Sequence, residues 1–343
     1  MPPSPRSNPA TAAGRPRGAR ESLSWLPRPA VSARGVQIAL GVTWVLVGLF
    51  QFKSFMYTHG LITEVFGEAM ERQPAWIGSS MKTIDDFYGR DLTLWNTLAA
   101  QVQLAIGLGL IASRKTVKPA LLVSFGWAFA VWWFGEGFGG LLSNTLPAPL
   151  MGAPGAVILY AVIGVLVWPS GRRSGRSPAG MGPLGERGAQ LAWAGLWLLS
   201  AFLWLVDVNR AREATSEMIE GMAEGSPRWL ARVQDWGVHH AQGHGTTIAI
   251  VLAALSVAVA LGVFAPRPLR WGALALGIVL SLAYWLFGQS LGGPFWAEGA
   301  TDVNAAPLFV LLAVALFPLA QRAPQEQTGD PAALPAQARA GVA

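Results

Sequence analysis

Eight long apolar segments alternate with polar segments along this chain. They cover residues 36–55, 93–112, 119–136, 154–168, 191–206, 246–264, 271–288 and 305–320. A helix needs about 20 mostly apolar residues to cross a bilayer. The pattern therefore predicts an all-α integral membrane protein with eight transmembrane helices. The fourth, fifth and eighth segments are short for complete spans.

The hydrophobic pattern repeats with an offset of 153 residues. The clearest repeat pairs Trp132–Gly140 (WWFGEGFGG) with Trp285–Gly293 (WLFGQSLGG). The same ungapped offset pairs further residues, among them Trp44 with Trp197, Trp76 with Trp229, and Pro154 with Pro307. Each copy contains four apolar segments, and an even number returns the chain to the side on which it began. We therefore predict two tandem four-helix modules that lie parallel in the membrane.

The polar segments between and beyond these modules predict five regions. The first module covers residues 35–169 and the second covers residues 191–320, with a basic cytoplasmic linker at 170–190. Residues 1–34 and 321–343 are rich in small and polar residues and contain few large apolar ones. Such segments cannot bury enough apolar surface to offset the entropy of ordering, so we predict two disordered cytoplasmic tails.

The distribution of charge predicts the orientation in the membrane. Charged residues make up 13% of the chain, against about 25% in soluble domains. With the N-terminus inside, the inner segments hold 17 of the 25 Lys and Arg residues but 4 of the 19 acidic residues. The positive-inside rule then predicts cytoplasmic N- and C-termini. Arginine far outnumbers lysine, and alanine, glycine and proline are abundant, a bias common in GC-rich bacterial genomes, so we expect a bacterial plasma-membrane protein. The net charge of +6 therefore reflects topology and argues against a nucleic-acid partner.

Two long outer loops, at about 56–92 and 207–245, carry apolar residues at helical spacing. In the first loop, Leu61, Val65 and Ala69 alternate with acidic residues in this way. Such amphipathic patterns predict short helices on the outer face of each module. These helices either lie in the membrane interface or cap the bundle.

Glu136 is the strongest candidate for a functional side chain. It follows the third apolar segment in a glycine-rich run, and the uncharged loop after it contains Pro147, Pro149 and Pro154. Irregular backbone at membrane depth is tolerated where it is buried in protein or lines a cavity, and an ionisable residue there indicates a functional site. The alternative is that Glu136 reaches the outer headgroup region. The second copy has Gln289 at this position, so any proton or cation chemistry belongs to the first module.

Three tryptophans adjoin the glycine-rich run in the two copies: Trp132, Trp133 and Trp285. They either wall a pocket for an apolar or lipidic ligand, together with Glu136 and Gln289, or pack in the core.

A histidine pair in the second outer loop raises the question of a metal site. His240 and His244 are four residues apart, so on a helix they would share one face and could ligate a metal, with Asp235 nearby. Histidine pairs near a helix end are more often surface residues, and we predict no metal. The chain has no cysteine, which excludes disulfides and thiolate metal sites.

The motifs WWFGEGFGG, GAPGAVILYA (residues 152–161) and QFKSFMY (residues 51–57) resemble an actinobacterial family of uncharacterised multi-pass membrane proteins. The resemblance covers residues 36–169 best. The four-span module is also similar to DoxX/DoxD-like proteins in size and layout. That resemblance implies a quinone-dependent oxidoreductase or a membrane accessory subunit.

Three functions remain open at this point. The first is a non-enzymatic transporter or accessory component that binds an apolar or lipidic ligand near Glu136. The second is a quinone-interacting subunit of a membrane oxidoreductase, with quinone as the cofactor. The third is an envelope scaffold whose outer helices dock a membrane or envelope protein. The chain contains no phosphate-binding loop, dinucleotide fingerprint or nucleophile elbow, so enzyme activity is the less favoured interpretation.

Overall fold

The computed structural model describes residues 31–71, 73–169 and 182–321, and the regular structure in these ranges is helical throughout. The α-helices in the described ranges are α1 (Ala33–Phe50), α2 (Gly67–Glu71), α3 (Ala75–Tyr88), α4 (Leu92–Ala112), α5 (Val117–Phe134), α6 (Ala156–Leu166), α7 (Gly185–Leu205), α8 (Ala214–Ala223), α9 (Arg228–Ala241), α10 (Gly245–Gly262), α11 (Arg267–Gly288) and α12 (Ala305–Gln321). The predicted tails, apart from residues 31–34 and 321, and most of the predicted linker lie outside the described residues. Helix α7 begins within the predicted linker, six residues before residue 191.

Within the described ranges, six helices are long and apolar enough to cross a membrane: α1, α4, α5, α7, α10 and α11. The prediction of an all-α, multi-pass membrane protein is confirmed to this extent. The two remaining apolar segments form α6 and α12, which are shorter. Helix α6 has 11 residues, which corresponds to about 17 Å or half of a hydrocarbon core.

The helices form two halves with the same neighbours. In the first half (residues 31–71 and 73–169), α1 packs on α4, and α5 packs on both α4 and α6. In the second half (residues 182–321), α7 packs on α10, and α11 packs on both α10 and α12. The short helices α6 and α12 pack on each other, and one apolar core runs through both halves. The halves are therefore joined through their most apolar elements.

Small residues allow α1 and α4 to approach closely. A Cβ atom on Gly41 would lie 2.9 Å from the carbonyl oxygen of Gly107, and a Cβ on Gly107 would lie 2.7 Å from the carbonyl oxygen of Gly41. Real Cβ atoms do not tolerate such distances to backbone, so the crossing requires glycine on both helices. Close approach of this kind supplies the van der Waals contact that holds helices together in lipid.

The outer loops are helical and cover one end of the bundle, called the capped end below. The first contains a π-helix (Leu61–Phe66), α2 and α3, and the second contains α8 and α9. Helix α3 contacts α5, while α8 and α9 contact α11. One face of these helices is buried, as at Ile77 and Leu230, while Trp76 and Trp229 are exposed. The predicted amphipathic helices therefore pack on the bundle.

Candidate ligand-binding cavity

The glycine-rich breaks after α5 and α11 have the same backbone conformation. Four consecutive residues have positive φ angles in the first half: Gly137 (52°), Phe138 (58°), Gly139 (63°) and Gly140 (71°). Four also do so in the second half: Ser290 (43°), Leu291 (54°), Gly292 (82°) and Gly293 (71°). Residues with a side chain adopt this left-handed region at a cost of roughly 1–2 kcal/mol each. The repeated sequence thus builds a strained reversal in each half.

Glu136 and Gln289 bond to the start of the short helix that follows each break. The Glu136 Oε1 atom accepts a hydrogen bond of 3.2 Å from the amide of Val157, at the start of α6. The Gln289 Oε1 atom accepts one of 3.1 Å from the amide of Ala306, at the start of α12. Amides in the first turn of a helix have no partner within that helix. Both side chains therefore act as caps, and a carboxylate is not needed for that role.

Trp132 and Trp285 hold the loop before the same two helices. The Trp132 Nε1 atom donates to the carbonyl oxygen of Pro154 (3.0 Å), and the Trp285 Nε1 atom donates to the carbonyl oxygen of Val303 (2.9 Å). The two tryptophans are 153 residues apart, whereas the two acceptors are 149 residues apart.

This difference corrects the predicted pairing of Pro154 with Pro307. The loop between break and helix is four residues shorter in the second half, so the ungapped offset ends at the break. Pro154 precedes α6, while Pro307 lies within α12. The structural counterpart of Pro154 is Val303.

A cavity of about 690 Å³ lies in the first half, toward the capped end. Its walls come from α1, α4, α5 and α6, and the π-helix and α3 contribute to its outer side. Residues 299–302 of the second half complete the wall. Glu136 lies at the break end of this cavity, beside Gly155 and Asp302. A Cβ atom on Gly155 would overlap the Glu136 Oε2 atom, so glycine is needed there for the carboxylate to fit.

The matching space in the second half is filled. The cleft at Gln289 has a volume of about 10 Å³. Tyr284 occupies the position that Val131 has in the first half, and its hydroxyl accepts a 2.9 Å hydrogen bond from the Trp204 indole. Both side chains are buried, and Trp204 matches the much smaller Gln51. Tyr284 and Trp204 are larger than Val131 and Gln51, the residues at the matching positions. Only the site in the first half therefore has room for a ligand.

The Glu136 side chain is partly buried within the protein, where it lines the cavity. Its Oε2 atom is fully buried and has no hydrogen-bond partner among the described residues. Burial, together with the negative charge of Asp302, raises the pKa of Glu136 to about 8, against the opposing effect of the Val157 and Ala156 amides. Burial also raises the pKa of Asp302, against the hydrogen bond from the Asn304 amide. Glu136 is therefore mostly protonated at neutral pH.

This raised pKa predicts a pH-dependent stability. The unfolded chain releases the Glu136 proton near pH 4.5, its ordinary value, while the folded protein keeps it until about pH 8. The unfolded state then binds fewer protons in this window, so stability falls as pH rises from about 4.5 to about 8. Glu136→Gln removes this dependence. In thermal unfolding of the purified protein, the midpoint of Glu136→Gln minus that of wild type should grow across this window.

Glu298→Gln is the matched control, because Glu298 is exposed in the loop that also carries Asp302. Its unfolding midpoint should follow wild type at every pH. A constant difference between Glu136→Gln and wild type would show that Glu136 titrates normally.

The structure places the predicted site residues in different parts of the protein. Glu136 lines the cavity, while Gln289 lines the filled cleft of the second half. Trp132, Trp133 and Trp285 are not among the cavity-lining residues. Trp133 donates through its Nε1 atom to the Ser80 hydroxyl at 2.9 Å, and so ties α5 to α3. The three indoles position the breaks and the outer helices.

The histidine pair does not share a helical face. Helix α9 ends at Ala241, so His240 lies in its last turn and His244 lies beyond it. The His240 ring packs on Trp236, with ring centroids 4.4 Å apart. The described residues contain no group of three or more His, Asp or Glu side chains suited to a metal ion.

Several cavity residues were missed in the sequence. Trp44, Gln103, Trp127 and Tyr160 line the cavity, and each has a buried side-chain atom with no hydrogen-bond partner among the described residues. Asp302 was missed because it belongs to the second half. One signal was available in the sequence: the loop between the break and the short helix differs in length between the halves. Aligning the two breaks, and then the two short helices, reveals this difference of four residues.

Comparison with known proteins gives no relative: no protein-family description, no curated protein and no solved structure matches the chain.

Proposed function

We propose that this chain is a bacterial plasma-membrane protein that binds an apolar or lipidic small molecule in the first-half cavity, as a transporter or as an accessory component. The observation that carries this proposal is the cavity itself. Its volume of about 690 Å³ lies within the range of roughly 300–1,000 Å³ that small-molecule sites occupy. Its wall is mainly apolar and aromatic, with a few polar groups around Glu136, which is the composition of a binding site.

The proposed architecture is a duplicated module of four membrane helices, in which α6 and α12 complete a set of eight. The matching φ angles of the two breaks and the matching hydrogen bonds of Glu136 with Gln289, and of Trp132 with Trp285, support a common origin for the halves. Irregular backbone beside short helices is tolerated in a membrane where it lines a cavity. The distribution of Lys and Arg supports cytoplasmic termini, which places the capped end on the outer side.

The difference between the two halves supports ligand binding over a purely structural role. The second half keeps the cap and the tryptophan bond, but its own site is filled by Tyr284 and Trp204. A scaffold protein gains nothing from an open cavity, because lost packing costs about 24 cal/mol per Å³ in soluble cores. A cavity kept in one half and closed in the other therefore favours a function that uses the space.

A second candidate, a quinone-interacting subunit of a membrane oxidoreductase, is favoured by the donors in the wall. The Nε1 atoms of Trp44 and Trp127 and the hydroxyl of Tyr160 have no hydrogen-bond partner among the described residues. All three residues line the cavity. Quinone carbonyl oxygens would accept from such donors, and this role agrees with the DoxX/DoxD-like resemblance of the four-span layout.

Mass spectrometry of what co-purifies with the protein in mild detergent tests both candidates. We expect a small apolar molecule at near-stoichiometric amount from wild type, and its loss from a cavity-filling variant (Ala99→Leu with Val131→Tyr). A quinone in the extract, with its ultraviolet absorbance, would select the second candidate. Identical extracts from wild type and variant would show that the cavity is not a binding site, and would favour the envelope scaffold.

A further inference from the structure

The charged residues that line the cavity are all acidic. Glu136 from the first half and Asp302 from the second both line it. Their carboxylates are close enough for the charge of Asp302 to raise the pKa of Glu136. No lysine, arginine or histidine of the described chain lines the cavity, and its other titratable side chains are Tyr88 and Tyr160. Phenols stay neutral at physiological pH, so any charge on the lining side chains is negative. The Lys53 ammonium bonds to the carbonyl oxygens of Ala297 and Ala300, but Lys53 is not among the lining residues.

The rest of the wall is aromatic. Aromatic side chains from α1, α3, α5 and α6 line the cavity, among them Trp44, Trp127 and Tyr160. The rings of Trp44 and Tyr160 pack with centroids 4.4 Å apart. The face of an aromatic ring carries partial negative charge and attracts cations, most strongly where water is excluded. Carboxylates and aromatic faces thus favour the same charge in a ligand.

We propose that the ligand of this cavity is a lipophilic cation, such as an organic amine or a quaternary ammonium or phosphonium ion with apolar substituents, whose charge is balanced by Glu136. This inference rests on the proposed binding function and specifies its substrate class. An apolar cation fits the large aromatic space and neutralises the buried carboxylate. A bare metal ion does not fit it, because metal ions require several close oxygen or nitrogen ligands, and the described residues provide no such cluster.

Proton exchange follows from this assignment. Before a cation binds, Glu136 holds a proton at neutral pH, because two neighbouring carboxylates cannot both ionise cheaply. A bound cation stabilises the ionised form, so binding releases that proton to solvent. Between about pH 6 and pH 8 the cation and the proton compete for one carboxylate, and affinity rises about tenfold for each pH unit.

Three probes of related shape and different charge test the inference. They are tetraphenylphosphonium (cationic), triphenylphosphine oxide (neutral) and tetraphenylborate (anionic), measured by equilibrium dialysis. The full-length protein is placed in phosphatidylcholine nanodiscs, which carry no net charge. We expect the cation to bind at least tenfold more tightly than either other probe. Glu136→Gln should weaken cation binding at least tenfold and abolish its pH dependence, while Glu298→Gln behaves as wild type.

The Glu136→Gln variant should fold, because Gln289 makes the equivalent cap in the second half. Calorimetry at pH 7 in buffers of different ionisation enthalpy gives an independent readout. Wild type should release a proton on binding the cation and Glu136→Gln should release none, a difference that a purely structural role would not produce.

The outcomes separate the inference from the proposed function. If the neutral probe binds as tightly as the cation and Glu136→Gln has no effect, the cation assignment is wrong while the binding function stands. Binding of none of the three probes also overturns the cation assignment. The binding function itself falls only if, in addition, no molecule co-purifies with the protein.

Discussion

Filling the first-half cavity with the side chains of the second half will reduce ligand binding at least tenfold. The variant combines Ala99→Leu with Val131→Tyr, which copies Leu252 and Tyr284 at the matching positions. The second half shows that this backbone accepts both larger side chains, and the cleft that remains there is about 10 Å³. The new tyrosine would point into the cavity beside Gln103, whose Oε1 atom lacks a partner among the described residues.

The measurement is the amount of co-purified molecule, or probe affinity, per folded protein. Stability should be retained, because the substitutions fill space rather than create it. Val123→Tyr is the matched control: Val123 is exposed on α5, so the same side chain is added outside the cavity. Gln51→Trp is left out, since it would break the 2.6 Å hydrogen bond from Gln51 Nε2 to Asn96 Oδ1. A well-folded double variant that binds like wild type would refute the assignment of this cavity.

Gly139→Ala will destabilise the protein severely, by at least ~2 kcal/mol. Gly139 has a φ angle of 63°, and a Cβ atom there would overlap the carbonyl group of Pro154. That carbonyl oxygen also accepts the Trp132 hydrogen bond, so its displacement disturbs the start of α6 and the position of Glu136. In the second half, Gly292 approaches the backbone of Val303 in the same way, at 2.7 Å for a Cβ atom.

Thermal unfolding and the yield of monodisperse protein measure this effect. Gly126→Ala is the control, because Gly126 lies in α5 and a Cβ atom there meets nothing within 4 Å. Alanine is about 1 kcal/mol better than glycine within a helix, so this control should be as stable as wild type or slightly more so. Equal stability of Gly139→Ala and Gly126→Ala would mean that the break does not require its left-handed conformation.

The helical framework was predictable because its signals are local. Each predicted apolar segment lies on a helix, and the glycine-rich repeats mark the two breaks. Apolar periodicity and glycine content act over a few residues, so they can be read without knowing what packs against them. The contrast between Glu136 and Gln289 also came from aligning the copies, and it indicated which half carries the ionisable group.

The cavity itself depends on side-chain volumes that five or more elements contribute together. Val131 and Tyr284 are both ordinary residues for a membrane helix, and only their packing shows that one leaves room and the other fills it. Asp302 lines the cavity of the first half although it belongs to a loop of the second half. The sequence left Trp132 and Trp133 as either pocket walls or core residues, and only the structure shows that their indoles donate to the Pro154 carbonyl and the Ser80 hydroxyl.

For this chain, the sequence alone was enough to predict the apolar helices and the two repeated breaks. It also showed that one break carries an ionisable residue, Glu136, where the other carries Gln289. The location of the cavity, the raised pKa of Glu136 and the presence of Asp302 in the same wall required the folded arrangement. The physical reason is that helix formation depends on residues near one another in the chain, whereas a cavity and the two carboxylates that line it come from residues distant in the chain.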